Sequence, residues 1–232
     1  MIAAAHQPLF IPWIGYFDKI SKTDLFVIVD NVQFTTAGWI RRNTIKGSSG
    51  PQKIIVPVKE KKHLGQNIRD VLIDSDGNSN WREKHIRTFA FCYGKAPYFN
   101  EVMTFLERTY SRGWKNICQF NIELIHAVCE YLEITTKVII SSENNIQGGK
   151  TDLIVDICEK TGADTFMLGM GGSAAYADRE FIASKGISVI MQQFRHPEYP
   201  QLFGDFVPNL SILDLLFNMG PGSRDIVRSC SQ

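Results

Sequence analysis

Apolar positions along the chain fall into short unbroken runs and longer helical repeats, and the two kinds alternate. Residues 2–5 are apolar throughout and stop at His6, the pattern of a strand buried on both faces. A proline-bounded turn, Pro8 to Pro12, leads into helical spacing over 13–21. A second apolar run, 25–29, stops at Asp30. Strand, loop, helix, strand within thirty residues predicts a βαβ unit with parallel strands. Residues 53–58 read as a third strand with Pro57 at its edge or end, and 71–73 as a fourth. The spacing then changes to the helical period over 81–91, 98–110 and 114–132. It resumes alternation with a strand at 136–141, a helix at 152–161 stopped by Gly162, a strand at 165–168, a helix at 177–184 and a strand at 188–192. A last short helix starts at Ser211 and ends before Gly220.

Strands alternating with helices predict an α/β fold, Rossmann-like, with a mostly parallel sheet. The uninterrupted helices of 80–132 read as a helical insertion or capping layer within a single domain spanning 1–232. A chain of 232 residues is long enough to bury a core without staples.

Composition narrows the function classes. The formal charge is +1, so no global field draws the chain to nucleic acid, and direct DNA binding is not expected. The cysteines, Cys92, Cys118, Cys129, Cys158 and Cys230, are odd in number and none has C-x-x-C spacing. They predict reduced, buried thiols rather than a disulfide scaffold or a zinc site. No apolar run has the length of a membrane span, and no signal-peptide pattern opens the chain. A cytoplasmic protein is expected, with a homodimer left open.

Candidate chemistry gathers where strands end, because an open parallel sheet binds ligands beyond the carboxyl ends of its strands. His6 and Gln7 end the first strand, and two polar side chains there need partners. Trp13, Tyr16 and Phe17 read first as core; Tyr16 is also carried as a substrate contact. Lys19, on the same predicted helix, joins His6, Gln7 and Asp30 as a catalytic candidate. Asp30 and Gln33 leave the neighbouring strand, where they suit an amine or a ribose hydroxyl, or else form a plain Asx turn. Trp39, Arg41, Arg42 and Asn43 occupy the loop beyond. Guanidinium pairs suit phosphates, and the indole suits a base or sugar face. Gly169, Gly171 and Gly172 follow a strand, so backbone N–H groups there form an anion nest or a tight turn. Ser173 and Tyr176 continue that wall. The G-x-G-x-x-G spacing is absent, and 148–151 is no P-loop. Thr151-Asp152 is expected to cap the following helix, and Ser211 with Asp214 to form a capping box. No metal-ligand motif and no G-x-S-x-G occurs.

The blocks HQPLFIPWIGYFDKI, DLFVIVDNVQF, WIRRNTIK and FVPNLSILDLLFNMG together resemble the WbqC-like family over nearly the whole chain. That resemblance implies a place in O-antigen or other surface-polysaccharide biosynthesis. It also implies a transferase that joins a small acyl or aminoacyl donor, such as glycine, to the amine of a nucleotide-linked amino sugar. A charged tRNA is one donor it leaves open. A weaker resemblance, in the opening strand, His-containing loop and helix, is to pantothenate synthetase and other HIGH-type nucleotidyltransferases. It would imply ATP with Mg²⁺ and an adenylate. The chain departs from that pattern: His6 stands alone, Gly15 is not followed by His, and Ile140-Ser141-Ser142-Glu143 is only a fragment of the expected I-S-S-T-x-x-R. Adenylation and a non-catalytic nucleotide-sugar binding protein stay open as alternatives.

Overall fold

The computed structural model describes residues 1–59, 65–75, 80–171 and 176–230. Its strands are β1 (Ile2–His6), β2 (Leu25–Ile28), β3 (Arg42–Gly47), β4 (Gly50–Ile55), β5 (Lys137–Ile140), β6 (Thr165–Leu168) and β7 (Ser188–Met191). Its helices are α1 (Ile14–Ser21), α2 (Trp81–Tyr93), α3 (Phe99–Tyr110), α4 (Ile117–Tyr131), α5 (Thr151–Thr161), α6 (Arg179–Ser184), α7 (Ile212–Met219) and α8 (Ser223–Arg228).

Five strands form one sheet in the order β5-β2-β1-β6-β7, every neighbour pair parallel. This is the α/β, Rossmann-like arrangement that the alternating pattern predicts. The period-2 alternation sorts side chains to two faces. Ala4, Phe26, Ile28 and Met167 join one core with Ile14, Phe17 and Ile20 of α1 and with α2, α3, α4 and α7. Ala3, Leu25, Val27, Phe166 and Leu168 join the other, with Ile154 and Ile157 of α5 and Ile182 of α6. The helical layer of 80–132 therefore shares its core with the sheet's first face. Burial of each large apolar side chain contributes about 1.5–3 kcal/mol.

Two local expectations need correction. Residues 53–58 do not enter the parallel sheet. β3 and β4 form a separate antiparallel hairpin closed at Gly47 and Gly50, so Arg42 and Asn43 stand in a strand rather than a loop. Residues 71–73 make only isolated bridges, Val58 with Ile73 and Leu72 with Asn116. Pro57 ends the first of these runs as a ladder strand, and the second is too short to propagate one.

The segment from Gln7 to Pro12 is held by side chains rather than by a ladder. The carbonyl of Gln7 accepts from the Tyr16 hydroxyl at 3.2 Å, and that of Pro8 from Asn121 Nδ2 at 2.9 Å. Asn43 Nδ2 donates to both Phe10 and Ile11, and Ser211 Oγ also donates to Ile11 at 3.0 Å. The Pro12 carbonyl accepts from Ile212 N at 2.8 Å, and Phe10 N donates to the Trp39 carbonyl at 3.0 Å. Ile11 sits at φ 42 and is wholly buried. A β-branched residue rarely adopts that region, and the strain persists because the contacts over-determine it. Gly15 follows because the Trp13 indole lies against it; a Cβ there would meet the ring at 2.4 Å.

Capping also differs from expectation. Ser211 does cap α7, accepting from Leu213 N at 3.3 Å, but Asp214 does not close a box. The Ser211 N–H is already given to the Thr44 carbonyl, and the Asp214 oxygens accept from Tyr93 and Tyr199 at 2.9 and 3.0 Å. Thr151 is the first residue of α5 rather than its cap. Its hydroxyl donates to the Tyr176 carbonyl and accepts from Asp178 N. No described helix is long and apolar enough to cross a membrane.

Asn43→Ala would leave the buried carbonyls of Phe10 and Ile11 without that donor. An expected loss of about 2–4 kcal/mol should appear in urea unfolding; a loss below about 0.5 kcal/mol would show that the clamp is not what holds the loop.

Candidate functional site

The sheet order fixes where a ligand crevice belongs. Connections from β1 run outward through β2 to β5, and those from β6 run the other way to β7. The direction reverses between β1 and β6, and crevices in open α/β sheets lie beyond the carboxyl ends at such a reversal. His6 and Gln7 end β1 there, and Gly169 follows β6.

His6 points to the face that carries α1. Its ring meets the Tyr16 ring edge-on at 5.0 Å, and its Nδ1 lies 3.2 Å from the Gln7 carbonyl. A carbonyl only accepts, so Nδ1 carries the proton and Nε2 presents a lone pair. Burial, and then the positive charge of Lys19, push the imidazole down to about 3. At neutral pH His6 is therefore an uncharged hydrogen-bonding group. Lys19 is almost fully buried, and burial lowers its ammonium to about 8, opposed by Asp18. Asp18 is itself wholly buried; it pairs with Lys22 and accepts from Gln192 Nε2 at 2.7 Å.

Asp30 is buried beyond β2. Its Oδ1 accepts from Ser141 Oγ at 2.9 Å and Ser142 N at 3.0 Å, and its Oδ2 from Ser142 Oγ at 2.7 Å. The carboxylate thus ties the carboxyl ends of β2 and β5 together. Gln33 is exposed and bridges to Asn67. Trp39 is half-exposed, with the Arg42 guanidinium 5.8 Å from its ring centre. Arg42 also donates to the Ala37 carbonyl. Arg41 is partly buried and its carbonyl accepts from Val56 N. Asn43 is buried beneath the Gln7–Pro12 segment. Gly169 is buried, Tyr176 is exposed, and Ser173 lies outside the described residues.

The fold thus brings His6, Gln7, Tyr16 and Lys19 together at the β1–α1 junction. Asp30 stands on the adjacent strand, and Trp39 and Arg42 form an outer, solvent-facing pair. Sequence reading missed Asn121, Gln192 and the Ser141-Ser142 pair. Asn121 had a legible signal: an amide in the middle of an apolar helix must have buried partners. Among the described residues no three His, Cys, Asp or Glu side chains converge to hold a metal ion. The cysteines are all buried, and burial pushes Cys118, Cys129 and Cys230 up to about 12 and Cys158 to about 11, so none is a ready nucleophile. A cavity of about 480 Å³ lined by Arg195, His196, Pro197, Glu198, Ser229 and Cys230 shares no residue with this group.

Residues 7–226 match the sequence profile of the WbqC-like protein family. Over 228 residues, covering 97% of each chain, the sequence is 36% identical to the Uncharacterized protein Rv1507c of Mycobacterium tuberculosis (strain ATCC 25618 / H37Rv). No solved structure matches at a significant level.

Acid should act on this interior through its histidines. His6 is lowered to about 3, and His85, buried against the Ile55 carbonyl, to about 4, both from 6.5. The unfolded chain binds the extra protons between those limits. Stability should be level above pH 6.5 and fall as pH drops toward 4 and then 3, by on the order of 3–5 kcal/mol per histidine. Chemical denaturation across that range, with His85→Gln and His6→Asn flattening the slope, checks it.

Proposed function

As the chain belongs to the WbqC-like protein family, we propose that it is an enzyme of surface-polysaccharide biosynthesis, including O-antigen. It joins a small acyl or aminoacyl donor to the amine of a nucleotide-linked amino sugar, within one α/β domain that residues 80–132 cap. The observation that carries this reading is the strand-order reversal between β1 and β6, with an uncharged histidine at its edge.

In this reading the sugar nucleotide lies across the carboxyl ends of β1 and β6. The backbone at Gly169 and the guanidiniums of Arg41 and Arg42 hold the diphosphate, and Trp39 stacks on the base. Asp30 and Gln33 face the sugar, and Tyr176 the opposite wall. The reaction forms a C–N bond between the sugar nitrogen and the acyl carbon. The bond from that carbon to the leaving group breaks, and the nitrogen gives up one proton. His6 Nε2 accepts a hydrogen bond from the amine and aims its lone pair at the acyl carbon. So weak a base orients the nitrogen rather than keeping the proton, which the leaving group takes.

Thermal unfolding with UDP- and dTDP-linked amino sugars, and separately with ATP and Mg²⁺, tests the substrate class. A rise with the amino-sugar nucleotide, and a product heavier by one acyl group in mass spectrometry, are expected. A rise with ATP alone would mark an adenylating enzyme, and sugar-nucleotide binding without product a binding protein. His6→Ala should lower transfer about a hundredfold; full activity in that variant would remove His6 from the reaction. Unchanged sugar-nucleotide affinity in Arg41→Ala and Arg42→Ala would remove both from the diphosphate site.

A further inference from the structure

Among the described residues two lysines are buried, Lys19 and Lys46, and their surroundings differ. Lys46, on β3, is 1% exposed, and its ammonium is met by Gln201 Oε1 at 3.1 Å and the Asp205 carbonyl at 2.5 Å, with the Gly204 carbonyl at 3.5 Å. That is how this fold satisfies a structural buried cation. Lys19 is 5% exposed; its ammonium keeps that contact with solvent and has no hydrogen-bond or ion-pair partner among the described residues.

The carboxylate that acts on it through space makes its bonds elsewhere. Asp18, adjacent in sequence, points off another side of α1 and has its oxygens taken by Lys22 and Gln192. From β1 comes His6, uncharged; from α1 itself comes Tyr16, whose hydroxyl donates to the Gln7 carbonyl. α4 brings Cys118 and Cys129 to Tyr16, both thiols held protonated by burial. Asn121 on the same helix gives both its N–H bonds to carbonyls. Asp30, near Cys118, is bound up by Ser141 and Ser142. Side chains on a helix lean toward its N-terminus, which for α1 is the end beside the carboxyl end of β1. The ammonium is thereby carried toward Tyr16 and His6, and its charge acts on His6.

We infer that Lys19 is the receptor for an anionic group of a bound ligand, a carboxylate or a phosphate, which docks at the β1–α1 junction and completes the missing ion pair. The inference rests on the crevice position proposed above, and deepens it by naming what the floor of that crevice binds. A largely buried ammonium without an ion pair gains when an anionic partner arrives. The site is therefore set to take an anion. Because burial holds the free ammonium at about 8, only the protonated fraction binds; apparent affinity should be level below about pH 8 and fall up to tenfold per pH unit above it.

The test is thermal unfolding of the full chain with inorganic phosphate and, separately, acetate, at fixed ionic strength against chloride, over a pH series spanning 8. At least one anion should raise Tm, and the apparent affinity should fall as pH rises through about 8. A response to phosphate alone assigns a phosphate group, to acetate alone a carboxylate, and to both a general anion site. Lys19→Met should unfold cooperatively, at a Tm no lower than the wild type without anion, and lose the response. Lys19→Arg should keep it across the alkaline range, since guanidinium stays protonated. An equal response in Lys19→Met, no response of the wild type to either anion, or a Lys19→Met variant much less stable than the wild type would each overturn the proposal. The readout does not depend on turnover, so failure of the amide-transfer reading and failure of this one are separable.

Discussion

The buried segment from Gln7 to Pro12 is the constraint on which the rest of the structure depends. It leaves the central strand, carries two prolines without N–H groups, and places Ile11 in the left-handed region. No ladder can satisfy such a chain, so its carbonyls must find side-chain donors or stay unpaired in the core. The donors come from β3, α4 and the cap of α7: Asn43, Asn121 and Ser211. Those three elements are thereby fixed relative to the end of β1. The first helix, the hairpin, the helical layer and the C-terminal helices meet around one loop, and the position of His6 follows from that meeting.

Charge in the interior is handled by the same logic. Asp30 and Asp214 are buried, and each is met directly by hydroxyl or amide donors. Burial raises Asp214 nonetheless, against the pull of its two tyrosines. Lys46 is met by carbonyl oxygens. Against this background the open ammonium of Lys19 is an exception, placed where strand order puts a crevice. Real proteins break a local rule of satisfaction mainly where a ligand will complete it.

The resemblance in the opening block is explained in part by structure alone. HQPLFIPW, WIRRN and FVPNLS are separated by tens of residues, yet Asn43 and Ser211 serve the backbone of the first block directly. Trp39 contributes its carbonyl to Phe10, while its indole and Arg42 face solvent. A motif that looks like a set of ligand contacts is thus divided between residues that hold the loop and residues free to face a substrate.

The alternation of apolar runs determined the parallel α/β sheet, since each strand's pattern reflects burial on both faces. It also determined α1, α3 and α5, whose bounds depend on local spacing. Polar residues at the ends of β1 and β2 were legible as well, because a strand end has nothing local to pair with. The antiparallel hairpin was not legible: a Gly-Ser-Ser-Gly turn does not say whether its strands join the main sheet. The roles of Asn43, Asn121, Asp214 and the two buried lysines were decided only by the tertiary structure. Partners of these side chains lie up to 159 residues away, and a side chain's sequence neighbours do not reveal which distant carbonyl, hydroxyl or empty space it will face.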